Sequence, residues 1–210
     1  MTTPRTTKRS PGRPKNVVDQ PSMRDKVLST ASILFMELGY EPVSLNMIAQ
    51  RAGVTKASVY YYFTNKADLF TTSVTEMMTR ICSYTLRIVE AHSDIQTRLQ
   101  QIALTKMSRS HVEFESLMRE AMPFLTQEQR DDIRKAEHQI HEVLADTFRQ
   151  AMEDGHISQG NPMLLSHAFS ALLMIGNREM VGDKAYTPAE LSASIVELFW
   201  KGISPRHTAE

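Results

Sequence analysis

Apolar residues return every three or four positions along almost the whole chain, and no stretch shows a convincing two-residue alternation. That periodicity belongs to amphipathic helices and not to strands. It predicts an all-α fold of about nine helices. The first starts at Ser22, with Asp25 as a capping-box partner, buries Val27, Leu28, Ala31, Leu34, Phe35 and Leu38, and stops at Gly39. Leu45, Ile48, Ala49 and Ala52 form one face of a short second helix, and Val59 and Phe63 turn inward from a short third. Asn65 to Asp68 caps a long helix to about residue 91. Ser93 and Asp94 open another to about 109, and 112–124 form a shorter one interrupted by Pro123. A capping box at Thr126 to Gln129 opens a long helix ending at Gly155. Asn161-Pro162 and Thr187-Pro188 place proline at the first helical position, for helices to about 181 and 203.

The stretch 44–66 changes this picture most. Ser44 can cap the second helix by accepting from a free N–H of its first turn. Gly53 stands where that helix must stop, since a left-handed residue costs glycine least. Thr55 caps the third helix, whose outward face is Lys56, Ala57, Ser58, Tyr61 and Tyr62. Two short helices joined by a Gly-containing turn are the helix-turn-helix pattern. Small residues allow close approach to a major groove, a cation meets phosphate or guanine, and hydroxyls meet phosphates or base edges. An ordinary surface hairpin would not carry three successive tyrosines, because a helix cannot bury all three on one face.

Charge supports a nucleic-acid end. The chain has 24 basic and 24 acidic residues. Residues 1–70 hold ten Lys/Arg and five Asp/Glu, a net of +5, and the remainder is net −5. A neutral sum thus hides a basic head and an acidic body. Residues 1–21 are Thr-, Pro- and basic-rich and are expected to be a disordered arm. Its Gly12-Arg13-Pro14 resembles the core of an AT-hook, whose arginine enters a narrow minor groove; a solubilising tail is the alternative. Arg13 is the candidate there.

Residues 54–70, Val-Thr-Lys-Ala-Ser-Val-Tyr-Tyr-Tyr-Phe-Thr-Asn-Lys-Ala-Asp-Leu-Phe, and the upstream 31–49 resemble the TetR/AcrR family of transcriptional regulators. The similarity covers about 23–70; beyond that the chain matches only in being helical. The resemblance implies that Thr55, Lys56 and Ser58 touch base edges or phosphates, and that the Tyr60 hydroxyl reaches a phosphate. Tyr61 and Tyr62 fall where members carry an aromatic or His at the DNA surface. Lys66 falls at a phosphate-contacting lysine, with Ser44 and Asn46 near the backbone. The expected organisation is an arm (1–21), a helix-turn-helix domain (22–66) and a ligand-binding and dimerisation domain (67–210).

The last two helices carry apolar residues over more than half their circumference, which asks for cover on two sides. Leu165, Phe169, Leu172, Leu191, Ile195 and Phe199 are the candidate interface of a homodimer, which the resemblance also implies; its twofold axis would set two heads on a palindromic operator. The body is rich in methionine, which adapts to irregular gaps. Phe114, Met118, Arg119, Met122, Phe148, His167, Met174, Asn177 and Arg178 are candidates for a pocket. A faint similarity of 167–177 and 197–203 to regulators of fatty-acid or steroid breakdown points to an acyl-CoA-type or lipid-like effector, with lipophilic drugs an equal alternative.

Other chemistry is weaker. Glu137-His138 and His141-Glu142 could bind a metal through an i, i+3 histidine pair, but a solvated polar face is the expectation, so no metal and no cofactor is assigned. Cys82 has no disulfide partner and is expected to be a small buried residue rather than a redox sensor. No phosphate loop, nucleophile elbow or metal motif suggests an enzyme, and no catalytic residue is assigned. No apolar run or secretory signal suggests a membrane, so a cytoplasmic regulator, expected to be a repressor, is the reading. A helical scaffold or helical enzyme without DNA binding is the rival.

Overall fold

A computed structural model describes residues 22–108, 114–179 and 186–205, the side chains of 175–179 excepted. Arg13 and the whole basic arm lie outside the described residues. Nine α-helices are present among them: α1 (Met23–Leu38), α2 (Leu45–Ala52), α3 (Lys56–Tyr62), α4 (Lys66–Ala91), α5 (Ile95–Met107), α6 (Phe114–Ala121), α7 (Gln127–Glu153), α8 (Pro162–Glu179) and α9 (Pro188–Ile203). A 3-10 turn, Met122–Phe124, separates α6 from α7, with Pro123 near its start. The expected interruption at Pro123 is therefore the end of the α-helix and a tighter turn, since proline tolerates only a helix's first positions.

The ends are set by the side chains the sequence offers. Ser22, Thr126 and Thr187 each form a reciprocal capping box, with Asp25, Gln129 and Glu190. Asn65 accepts from the Asp68 N–H at 2.9 Å and starts α4. Asp94, not Ser93, caps α5, accepting from the Thr97 N–H and hydroxyl, both at 2.7 Å. Those two bonds hold the Asp94 carboxyl below the usual carboxylate range.

Two apolar cores hold the helices together. The first joins α1, α2 and α3 to the start of α4, to α6 and to the start of α7, with Phe35, Ile48, Leu69, Phe70, Leu117 and Met118 at its centre. The second packs the far end of α4 with α5, the end of α7, α8 and α9 around Leu99, Phe148, Phe169 and Phe199. The expected domain boundary at 66–67 falls at the start of α4 but not at a break in the core. Leu69, Phe70 and Val74 of α4 are fully buried in the same cluster as Val27, Leu28 and Ile48.

Burial within the protomer sorts the residues of the proposed dimer face. Phe169 is fully buried within the protomer, and Leu191, Ile195 and Phe199 are buried with it in the second core. These four side chains are covered mainly by their own chain. Leu165 and Leu172 are half-buried. The apolar side chains that face out are Leu164 of α8, 64 % exposed, and Leu198 of α9, 63 % exposed. A periodic pattern tells which residues are apolar, but not which of two covered faces each one takes.

Candidate nucleic-acid interface

The helix-turn-helix closes on Gly53. Its backbone is left-handed (φ 67°, ψ 34°), its N–H bonds to the Ala49 and Gln50 carbonyls, and the Val54 N–H returns to the Ala49 carbonyl at 3.0 Å. A Cβ built at Gly53 meets nothing within 4 Å, so the conformation and not the space demands glycine. Ser44 starts α2 by accepting from the Met47 N–H at 3.2 Å. Thr55 starts α3 by accepting from the Ser58 N–H at 3.1 Å, and the two hydroxyls pair at 2.8 Å.

Helix α3 is held by one edge only. Val59 and Phe63 are buried in the first core. Phe63 is also covered by the Arg24 guanidinium, 5.9 Å from its ring, and Arg24 in turn pairs with Glu76 of α4 at 2.9 Å. Lys56, Ala57, Tyr60, Tyr61 and Tyr62 stand exposed, with Tyr61 82 % accessible. Tyr61 and Tyr62 meet edge to face at 5.0 Å, and the Lys56 ammonium lies 5.6 Å over the Tyr60 ring. Amphipathic phenols and a cation placed in solvent have no local reason to be there, but suit a polyanionic duplex.

Beside this face runs a groove of about 640 Å³ lined by Glu41 to Asn46, Lys56, Tyr60, Thr64, Asn65 and Lys66. It brings together five of the sequence candidates, Ser44, Asn46, Lys56, Tyr60 and Lys66, and lies where α2 and α4 begin. Helix N-termini present unpaired N–H groups and a positive dipole end, which favour an anion. Thr55, Ser58, Tyr61 and Tyr62 lie along α3 beside it. Sequence reading missed Thr64 and Glu41. Thr64, whose N–H donates to the Asp68 carboxylate at 2.8 Å, has only a hydroxyl in the turn before α4 as its signal; Glu41 contributes its carbonyl, which no side-chain pattern reveals.

Lys66 is placed differently from a free surface lysine. Its Nζ donates to the Glu41 carbonyl at 3.0 Å and sits 4.3 Å above the Tyr40 ring. Partial desolvation lowers its pKa, and the Glu41 carboxylate pulls it back up. Two further ammonium N–H groups remain for a phosphate. Tyr40 is buried, which raises its phenol pKa. Below Lys66 a second groove, about 570 Å³, is lined by Tyr40, Glu41, Asn65, Lys66, Ala67 and Phe124.

The effector candidates do not converge. Phe114 and Met118 pack in the first core, while Phe148 is in the second. Arg119 is exposed and Met122 is 41 % exposed. Met174 is half-buried on α8, and the side chains of Asn177 and Arg178 lie outside the described residues. His167 is exposed and lies against His141, ring centres 4.2 Å apart.

The histidine pair 138/141 does not form one solvated face. His138 is exposed and 3.4 Å from the Glu142 carboxylate. His141 turns toward α8, where its Nδ1 is 3.2 Å from the Ser166 hydroxyl, which itself donates to the His141 carbonyl at 2.9 Å. Because that hydroxyl's one proton is spent, Nδ1 carries the hydrogen in the neutral ring. Burial first, then His167, Lys106 and His138, pushes the His141 pKa down to about 4. Among the described residues no three His, Cys, Asp or Glu side chains are arranged to hold a metal. Cys82 is half-buried, not enclosed, with Sγ 3.8 Å from the Gln139 carbonyl and its thiol pKa raised by burial. No described helix is long and apolar enough to cross a membrane.

The chain is similar to known proteins in part of its sequence and in its fold. Residues 27–72 match the model of bacterial regulatory proteins of the tetR family. The chain is 34 % identical over 65 residues to IcaR, the HTH-type negative transcriptional regulator of the biofilm operon icaADBC in Staphylococcus epidermidis. That match takes in 31 % of this chain and 35 % of IcaR, so it spans about a third of the relative's length. In fold, the chain is similar to the regulator FadR of Bacillus subtilis in complex with stearoyl-CoA, with a TM-score of 0.66, 19 % identity, and coverage of 84 % of this chain and 97 % of that one. It is likewise similar to AibR in complex with isovaleryl coenzyme A and operator DNA, with a TM-score of 0.62, 21 % identity, and coverage of 84 % and 97 %.

Proposed function

Because the chain belongs to the TetR family of bacterial regulatory proteins, we propose that it is a homodimeric cytoplasmic repressor that leaves a palindromic operator when a small hydrophobic ligand occupies its body. The carrying observation is the groove between the starts of α2 and α4, with Lys56, Tyr60 and Lys66 on its walls and exposed α3 alongside. In this reading Ser44, Asn46, Tyr60 and Lys66 hold phosphates and set the register. Thr55, Lys56, Ser58, Tyr61 and Tyr62 present the surface that enters the major groove. Arg13 adds a minor-groove contact from the arm.

The outward Leu164 and Leu198 carry the dimer contact, with Leu165 and Leu172 at its edge. The effector is an acyl-CoA-like, lipid or drug-like compound. Its support is that fold relatives hold stearoyl-CoA and isovaleryl coenzyme A. A ligand that prefers the released state of the heads by a few kcal/mol is enough to switch occupancy.

The test is selection of duplexes from a random library by the purified chain, followed by titration of the winners. A twofold-symmetric sequence should emerge, bound far above nonspecific level at stated salt. Tyr60→Ala and Lys56→Ala should weaken it. Acyl-CoAs of graded chain length should then release it. A chain that enriches no sequence has no operator, and a selected duplex indifferent to every acyl-CoA and to lipophilic cations rejects the effector class.

A further inference from the structure

Among the contacts between the body and the head, several meet at Tyr40, in the turn between α1 and α2. Its N–H donates to the Glu120 carboxylate of α6 at 3.0 Å. Its ring is stacked with Phe124 of the 3-10 turn at 5.2 Å and with Phe35 of α1 at 5.8 Å, and meets Phe70 of α4 edge-on at 5.0 Å. The preceding Gly39 has φ +86°, and a Cβ there would lie 2.6 Å from the same Glu120 oxygen. The carboxylate thus occupies the space a side chain would need, and lies flush on the turn. On the body side, Arg130 of α7 donates to the Met122 and Leu125 carbonyls at 2.8 and 3.0 Å, which ties the 3-10 turn to α7.

The far side of Tyr40 is the DNA-facing groove. Lys66 rests on the Tyr40 ring and on the carbonyl of its neighbour Glu41, and Glu41, Asn65 and Lys66 wall both grooves. A displacement of residues 120–124 therefore has a short, packed route to Lys66, the groove cation that rests on Tyr40 and on the Glu41 carbonyl. This route does not run along the length of the α4 helix but reaches only its first turns. It runs through α6 and the α1–α2 turn.

We propose that Glu120 and Phe124 are positioning residues for DNA binding: they fix the Gly39–Tyr40 turn and, through the Tyr40 ring and the Glu41 carbonyl, set Lys66 for a phosphate. The inference rests on the DNA-binding reading and adds to it two residues that touch no DNA. Loss of either should let the turn move and free Lys66 to solvent. Truncating Phe124, 54 % exposed, removes little core, so folding should survive. Glu120→Gln keeps an acceptor for the Tyr40 N–H and should restore most of what Glu120→Ala loses.

The experiment uses the full chain and a duplex selected by the wild type. Glu120→Ala and Phe124→Ala should each weaken binding about five- to tenfold, the ordinary scale of a coupling between sites. Each should also lower the slope of log affinity against log salt by about one, the loss of a single phosphate contact. Neither should weaken binding further in a Lys66→Ala background. Amide exchange should show the Tyr40 N–H protected in the wild type and fast in Glu120→Ala. Additive losses with Lys66→Ala, or wild-type affinity and salt slope in both variants, overturn the proposal while leaving DNA binding intact. A wild type that selects no duplex, with the Tyr40 amide still protected, overturns the DNA-binding reading and the role of the two residues with it.

Discussion

The outer face of α3 and the crossing of α7 with α8 treat polar residues in opposite ways. On α3, three tyrosines and a lysine stand in solvent, and among the described residues their side chains make no hydrogen bond. At the crossing, Ser166 is fully buried, yet its hydroxyl both donates to the His141 carbonyl and pairs with the His141 ring. The first arrangement leaves its hydrogen-bonding capacity for a partner outside the chain. The second spends it inside, where an unpaired polar group would cost stability. Residue type alone does not separate a site from a strut; whether the polar atoms are already used does.

The strongest way to break this contrast is to remove the packing beneath the head. Phe35→Ala, at a fully buried site between Tyr40 and Phe70, should cost about 3–5 kcal/mol. Calorimetry should show head and body losing stability in one transition, because they share the core. Two separate transitions, with only one shifted, would contradict that shared core.

Gly53→Ala comes next. With open space around it but φ at +67°, it should cost about 1–2 kcal/mol by backbone strain alone. Denaturant titration checks this, and Gly53→Asn should recover part of the loss.

The crossing makes a pH prediction of smaller size. The His141 pKa lies below its ordinary 6.5, at about 4, so the unfolded chain binds the proton more readily. Its contribution is whole above pH 6.5 and drains away as pH falls toward 4. With the ring half-buried and screened, about 1–2 kcal/mol is at stake. Urea unfolding at pH 7.5 and 4.5 should show a steeper loss for the wild type than for His141→Gln; equal losses would remove His141 from the account.

The smallest effect on the protomer concerns Leu164 and Leu198. Replacing either by Glu should change protomer stability by no more than about 0.5 kcal/mol. Sedimentation should nevertheless show dissociation. An unchanged dimer would place the contact elsewhere.

The helices were legible because their signals are local. The capping boxes at Ser22, Thr126 and Thr187 and the glycines at 39 and 53 lie within four residues of what they terminate. The α3 surface was legible for the same reason: burial of Val59 and Phe63 leaves the tyrosines no choice. What pairing across the chain decides was not legible. Nothing near His141 in sequence announces Ser166, twenty-five residues on, and nothing near Lys66 announces Tyr40. Phe169 and Leu164 are equally apolar on one helix, and only the neighbouring Phe148 and Phe199 decide that the former turns in.

The continuous first core limits how this molecule can be recombined. The match to the tetR family's model ends at residue 72, but the packing that steadies that segment continues through Val74, Met78, Leu117, Met118 and Ile133. A chimera joined at residue 66 would run its seam through the middle of a hydrophobic cluster, setting foreign side chains against Phe35 and Ile48. To carry this DNA-reading surface to another sensor, the graft has to bring the first half of α4 and the facing turns of α6 and α7 with it.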